Sequence, residues 1–137
     1  MTVDAWMKGS PVTVTPETRV VEALRLCRDH GLRRLPVVKD GRVVGVVREA
    51  DLLRLTPSEA TTLDRHELMY LLDRITVARI VTPAVVVPPE IPLAEAARRL
   101  GDGAAELLVV AEGTLRGILT RGDCLRALLA ETLGQVA

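Results

Sequence analysis

The chain contains itself twice, and that repetition limits its fold more than any other feature. Pro11-Val12-Thr13-Val14-Thr15-Pro16-Glu17 returns as Ala84-Val85-Val86-Val87-Pro88-Pro89-Glu90. Glu22-Ala23-Leu24-Arg25 returns as Glu95-Ala96-Ala97-Arg98, and Asp51-Leu52-Leu53-Arg54 returns as Asp123-Cys124-Leu125-Arg126. Gly41 and Gly45 reappear as Gly113 and Gly117. The offset is 73 around the first helix and 72 from the second strand onward, so the copies differ by a small insertion. Two copies are too few for a solenoid. Two similar units are expected to pack against each other, leaving two related clefts at the seam, and a ligand site need not survive in both.

Length and composition narrow the class. A chain of 137 residues suits one compact domain or two small repeats sharing a core. Apolar residues make up 48%, enough for that core. Trp6 and Tyr70 are the only aromatics, so Leu, Val, Ile and Ala must do the packing. The 18 cationic and 18 anionic side chains balance. This charge balance and the lack of base-stacking aromatics argue against nucleic acid as a partner. No apolar run approaches the roughly 18 residues of a membrane span. Cys27 and Cys124 form no CxxC and sit in helical patterns, which predicts core thiols and a reducing cytoplasm.

Each repeat reads strand, helix, strand, strand, helix. In the first, Val12–Val14 is a predicted strand, and Pro16-Glu17-Thr18 opens a helix with Val20, Ala23, Leu24 and Cys27 on one face. Gly31 is its expected C-cap. Leu35–Val38 and Val43–Val47 are predicted strands joined by an Asp40-Gly41 turn, and Glu49–Leu55 is the closing helix. In the second, the strands are Val85–Val87, Leu107–Val110 and Leu115–Leu119, with a Glu112-Gly113 turn. Helices are expected over Leu93–Leu100 and Gly122–Leu133, the latter with Leu125, Leu128, Leu129 and Leu133 on one face. The expected boundaries are 1–57 for the first repeat and 77–137 for the second. Residues 58–76 form a helical connector that Thr62 would cap, carrying Leu68, Leu71, Leu72 and Ile75.

Two segments have chemistry to offer. Gly117-Ile118-Leu119-Thr120-Arg121-Gly122-Asp123 leaves a strand and enters a helix. Thr120-x-x-Asp123 reads as a helix capping box with Asp in place of Glu. It also reads as a ligand site, because Asp accepts from both hydroxyls of a ribose beside an anion-friendly helix start. Its counterpart, Gly45-Val46-Val47-Arg48-Glu49-Ala50-Asp51, keeps the aspartate and replaces the threonine with Arg48; Asp51 is then expected to pair with Arg48 or Arg54. The second segment is Gly31-Leu32-Arg33-Arg34-Leu35-Pro36-Val37. Its adjacent arginines are either solvated surface charge or a phosphate site. The aligned Ala105-Glu106 has lost both cations. His30 and His66 lack a third metal ligand, and no Ser-His-Asp or Cys-His set is suggested.

Both repeats resemble CBS domains, named for cystathionine β-synthase, and the pair resembles a Bateman module. The likeness covers nearly the whole chain and rests on the runs at 117–123 and 31–37 and on the repeat itself. It implies an α+β fold, in which two β-α-β-β-α units pack sheet to sheet with pseudo-two-fold symmetry. It also implies a homodimer and an adenosine ligand in the clefts: AMP, ADP, ATP or S-adenosylmethionine. Carried over residue by residue, one cleft is complete. Asp123 would hold the ribose, Thr120 the ribose or α-phosphate, and Arg33 and Arg34 the phosphates. Ser10, Pro11 and Val12 would border the adenine, with Leu32 and Leu119 as apolar walls. The other cleft, with Arg48, Asp51, Ala105 and Glu106, would be weak or empty. The expected function is a non-catalytic regulatory module with no catalytic cofactor and no metal, which signals to a regulated partner protein. The alternative is a ligand-free structural or dimerisation module.

Overall fold

The computed structural model describes residues 1–55 and 64–136; Thr62, the expected cap of the connector, lies outside the described residues. The chain is α+β and divides into two compact units. One is Met1–Pro11 together with the chain from Ala84 onward, and the other is Val12–Pro83. The first eleven residues therefore pack with the second repeat.

The unit built on the second repeat has a four-stranded sheet in the order β1-β6-β5-β4. β1 is Lys8–Gly9, β4 Val85–Val87, β5 Leu107–Ala111 and β6 Thr114–Leu119. β4 runs parallel to β5, and the remaining pairs are antiparallel. Glu112 and Gly113 turn the β5–β6 hairpin with φ of 53° and 79°, the left-handed pair that a two-residue hairpin turn requires. α4 (Leu93–Gly101) and α5 (Arg121–Val136) complete the unit. Val87, Leu93, Ala96, Leu100, Leu107, Val109, Leu119 and Ala127 form its core, joined by Val3 from a 3₁₀ turn at Val3–Ala5.

The other unit repeats this plan with shorter edges. α1 is Val20–His30, β2 Arg34–Lys39, β3 Arg42–Arg48 and α2 Glu49–Leu53. β2 and β3 pair antiparallel around Asp40-Gly41, again with φ of 52° and 79°. Gly31 ends α1 in the left-handed region at φ 64°, as expected. The predicted strand Val12–Val14 shrinks to one parallel bridge between Val14 and Val37, bonded through Val14 N–H to Pro36 and Val38 N–H to Val14. Both hairpins carry a register shift at the same place, after Val37 and after Val109, so even the irregularity is repeated.

Both units start their first helix in the same way, and local sequence does not reveal it. Pro16-Glu17-Thr18 forms a turn before α1, not its first turn; the N-cap residues Arg19 and Pro92 make no side-chain cap. The leading amides are satisfied by backbone from remote segments: Val20 N–H donates to Ile75, and Leu93 N–H to Met1. The 3₁₀ turns at Val3–Ala5 and Val77–Ile80 bury Val3 and Val77 beside these starts.

The structure shows which way the α5 stripe faces, and it changes the connector. α5 presents Ala127 and Asp123 inward, while Leu125, Leu128, Leu129 and Leu133 are all more than half exposed. Small side chains let the helix sit close to the sheet, and the leucines face away. The connector helix α3 spans Arg65–Leu72 and buries none of its residues. Its cap among the described residues is Asp64, whose carboxylate accepts the Glu67 N–H at 2.8 Å. Ile75 falls beyond its end.

Candidate functional site

β6 delivers the chain from the sheet into α5, and the site is the corner it turns. Alternation along β6 puts Leu119 into the core, fully buried, and Ile118 on the opposite face, half-buried. Thr120 follows as the strand ends. One turn into the helix, Asp123 points back and has no exposed surface. Its Oδ2 accepts the Thr120 backbone N–H at 2.8 Å and the Thr120 hydroxyl at 3.2 Å. This is one half of the expected capping box: the Asp123 N–H donates to the Thr120 carbonyl at 3.0 Å and not to its hydroxyl, and the arrangement holds the carboxylate in one orientation.

Two cations meet the other oxygen. Lys8 Nζ donates to Oδ1 at 2.8 Å from β1, and Arg126 donates from the next turn of α5. Neither residue was assigned to the site from sequence. Arg126 had a signal, because Asp-x-x-Arg recurs at 51–54 and a three-residue helical spacing brings the two ends together. Lys8 had none, since 115 residues separate it from its partner.

Lys8 reaches Asp123 because β1 lies against β6, with Lys8 opposite Ile118 and Gly9 opposite Gly117. The repeated glycine is the reason the strands meet. A Cβ at Gly117 would stand 2.6 Å from the Lys8 carbonyl oxygen and 2.7 Å from Met7 Sδ. Ser10 then turns the chain away with φ 49°, an uncommon conformation for serine. Ser10 is exposed, and Pro11 and Val12 are half-buried.

In the other unit, Leu32 packs on the core and Arg33 is exposed, its carbonyl accepting the Glu49 N–H at 2.9 Å. Arg34 is half-buried at the start of β2, directly opposite Arg48 at the end of β3. Arg33, Arg34 and Arg48 thus belong to one end of one hairpin. Arg48 donates to the Thr82 hydroxyl at 3.1 Å, and Asp51 pairs with Arg54 at 2.9 Å, one of the two partners expected for it. Glu106 is buried just before β5.

Neither cysteine is an activated thiol. Burial pushes the Cys27 thiol up, with the Glu49 charge adding to it, and burial also raises Cys124. Both stay protonated and weakly nucleophilic. No cluster of three His, Cys, Asp or Glu is placed to hold a metal among these residues, and no helix among them is long and apolar enough to cross a membrane.

Known proteins share this plan. The CBS domain profile matches residues 3–58 and 77–130. The crystal structure of CBSX2 of Arabidopsis thaliana in complex with AMP superposes with a TM-score of 0.77 at 36% identity, covering 96% of this chain and 98% of that one. The CBS domain of a bacterial CNNM/CorC family Mg2+ transporter in complex with ATP gives a TM-score of 0.78 at 25% identity, covering 94% and 87%. In sequence, the chloroplastic CBSX2 of Arabidopsis thaliana is 34% identical over 137 residues, 85% of this chain and 58% of that protein. Some curated relatives are matched over less: the chain spans about a quarter of the mitochondrial CBSX3 of Arabidopsis thaliana, 27% of its length.

Proposed function

The chain belongs to the CBS domain family, and from that premise we propose that it is a regulatory module that binds one adenine nucleotide per chain. Asp123 is the observation that carries this reading. A fully buried carboxylate, oriented by Thr120 and reached by two cations, stands where the family resemblance puts the ribose ligand. Arg33 and Arg34 supply forked donors suited to phosphate. AMP and ATP are each bound by a similar CBS structure at 25% identity or more, which supports a nucleotide over other adenosine ligands. On the β6 side, half-buried Ile118 is better placed than core-packed Leu119 to serve as an apolar wall. The module has no catalytic step of its own. Its output is the shift in conformational population that a ligand causes when it favours one state.

Calorimetry with AMP, ADP, ATP and S-adenosylmethionine tests the reading. One site per chain is expected, because the other repeat has Arg48 in place of Thr120, and Ala105 and Glu106 stand in place of Arg33 and Arg34. Two comparable sites would remove that asymmetry. Arg33→Ala and Arg34→Ala should each weaken AMP by about 10-fold or more and adenosine much less, since a charged hydrogen bond contributes about 1.5–3 kcal/mol. A saturating ligand at about 100 times its Kd adds roughly 2.7 kcal/mol of stability, which a melting curve detects.

One observation favours the ligand-free reading. The chain itself already supplies Asp123 with four hydrogen-bond donors, two from Thr120 and one each from Lys8 and Arg126. Absence of binding by every adenosine ligand in the calorimetric series would establish that reading instead.

The module is proposed to act as a homodimer through its outer helices. Leu125, Leu128, Leu129 and Leu133 line α5 in the open, and a groove of about 610 Å3 bordered by Met1, Leu93, Ala97, Leu125 and Leu128 lies alongside. Apolar surface of this extent on one helix marks an interaction site. Light scattering at high micromolar concentration should return twice the chain mass. Leu128→Glu should return the chain mass with an unchanged melting profile in the dilute limit, because the side chain is 57% exposed in the single chain. A chain mass for the unaltered protein would remove the dimer.

A further inference from the structure

The two units differ at a pair of equivalent positions in a way the nucleotide reading leaves unused. Lys8 stands on β6 opposite Ile118, and Thr82 stands on β3 opposite Val46, the residue equivalent to Ile118. At the strand ends the order is reversed: Thr120 follows β6, and Arg48 ends β3. At these two positions each unit therefore has one cation and one hydroxyl, but on opposite strands. In the unit that holds Asp123, the cation comes from the edge segment and lands on the carboxylate.

A carboxylate has about four acceptor positions, and those of Asp123 are filled. Thr120 occupies Oδ2 through its backbone N–H and hydroxyl, at 2.8 and 3.2 Å. Lys8 and Arg126 occupy Oδ1. A ribose diol brings two further donors, so two of the four must leave. The Thr120 donors are fixed by the start of α5. Lys8 and Arg126 end in side chains that are 60% and 55% exposed, so Oδ1 is the side that exchanges.

We infer that Lys8 is a counter-ion latch on Asp123 that makes the site selective for phosphorylated nucleosides over unphosphorylated ones. The inference rests on the nucleotide reading above. An incoming diol displaces the ammonium from Oδ1. A ligand that carries its own phosphate attracts the displaced cation, so one charge-assisted contact replaces another. A nucleoside displaces the same cation and offers it nothing. Lys8 is thus a specificity residue that acts through the carboxylate, and Thr82 marks the uncharged alternative at the same position.

The test compares AMP with adenosine on the full chain, by calorimetry at low and high salt, for the unaltered protein, Lys8→Thr and Lys8→Arg. Removing a partly exposed pair is worth a few-fold, so Lys8→Thr should bind adenosine about 2- to 5-fold tighter, while AMP, for which one contact replaces the other, should change little. The AMP-to-adenosine preference should therefore fall by about 2- to 5-fold. Lys8→Arg should keep the preference. Raising salt should move the unaltered protein toward the Lys8→Thr value. Equal losses for both ligands would mean that Lys8 only supports the fold, and an unchanged preference would mean that it plays no part; either overturns the inference and leaves the nucleotide reading standing. An unaltered protein that binds neither AMP nor adenosine overturns both.

Discussion

Replacing Asp123 with alanine is expected to lower AMP affinity by about 10- to 100-fold, because a charged hydrogen bond to the ribose is worth about 1.5–3 kcal/mol. The same change should destabilise the fold by about 1–3 kcal/mol, since it removes a helix cap and two charge-assisted contacts. Lys8 and Arg126 are more than half exposed and return to water when their partner goes, which keeps this loss below that of a fully buried pair. Melting curves measure the second effect and calorimetry the first. Asp123→Asn separates them: its amide oxygen can still accept from Thr120, so the fold is largely kept while the charge is lost. Native melting with AMP binding weakened about 10-fold or more identifies a ligand carboxylate. Asp51→Ala, whose side chain pairs with exposed Arg54, should leave AMP binding unchanged. Undiminished AMP binding by Asp123→Ala would place the nucleotide elsewhere.

Gly45→Ala should be the most damaging methyl addition in the described chain. Its Cβ would stand 2.3 Å from the Thr82 carbonyl oxygen and 2.6 Å from Val81 Cγ1. The Thr82 oxygen is backbone, held by the Val46 N–H at 2.9 Å, and Thr82 N–H returns a bond to Val46 at 3.0 Å. The edge segment must lift off β3, giving up both bonds and loosening Val77, which is buried in the core cluster of that unit. The expected loss is about 2–4 kcal/mol, in the upper range for single substitutions. That corresponds to a melting temperature lower by about 5–15 °C. Gly101→Ala, at the end of α4 with nothing within 4 Å, is the control and should be neutral or slightly stabilising. Equal melting of the two variants would mean that the edge pairing yields easily. Gly117→Ala should show a similar loss and, by displacing the Lys8 backbone, a changed AMP preference as well.

Much of the fold was legible because its signals are local. The Asp40-Gly41 and Glu112-Gly113 turns, the Gly31 cap and the strand pairs flanking each turn are written in neighbouring residues, and they appear within a residue or two of their expected positions. The repeat implied two copies of one plan, and the family profile and superpositions agree. Where the reading missed, the deciding partner was far away in sequence. α1 starts at Val20 because the Ile75 carbonyl takes its amide, not because Pro16-Glu17-Thr18 opens it. Val12–Val14 pairs only at Val14. The α5 leucines have helical spacing, but periodicity gives a stripe without saying whether that stripe meets the core or the solvent. Ala127 took the inner position because a small side chain permits close approach to the sheet.

The candidate site divides in the same way. Thr120 and Asp123 were legible as a pair, since three residues separate them on one helical turn, and their bond has the expected cap geometry. The repeat likewise makes Gly45 and Gly117 equivalent, without the reason for a glycine at either. The reason lies in the fold: edge segments at Thr82 and Lys8 press against those glycines, closer than any Cβ allows. The fold also carries Lys8, on the segment facing Gly117, onto a carboxylate 115 residues away. Local bonds are encoded in spacing, so sequence reveals them. A contact between distant residues depends on which backbone the sheet admits at its edge, and that is settled only when the strands have met.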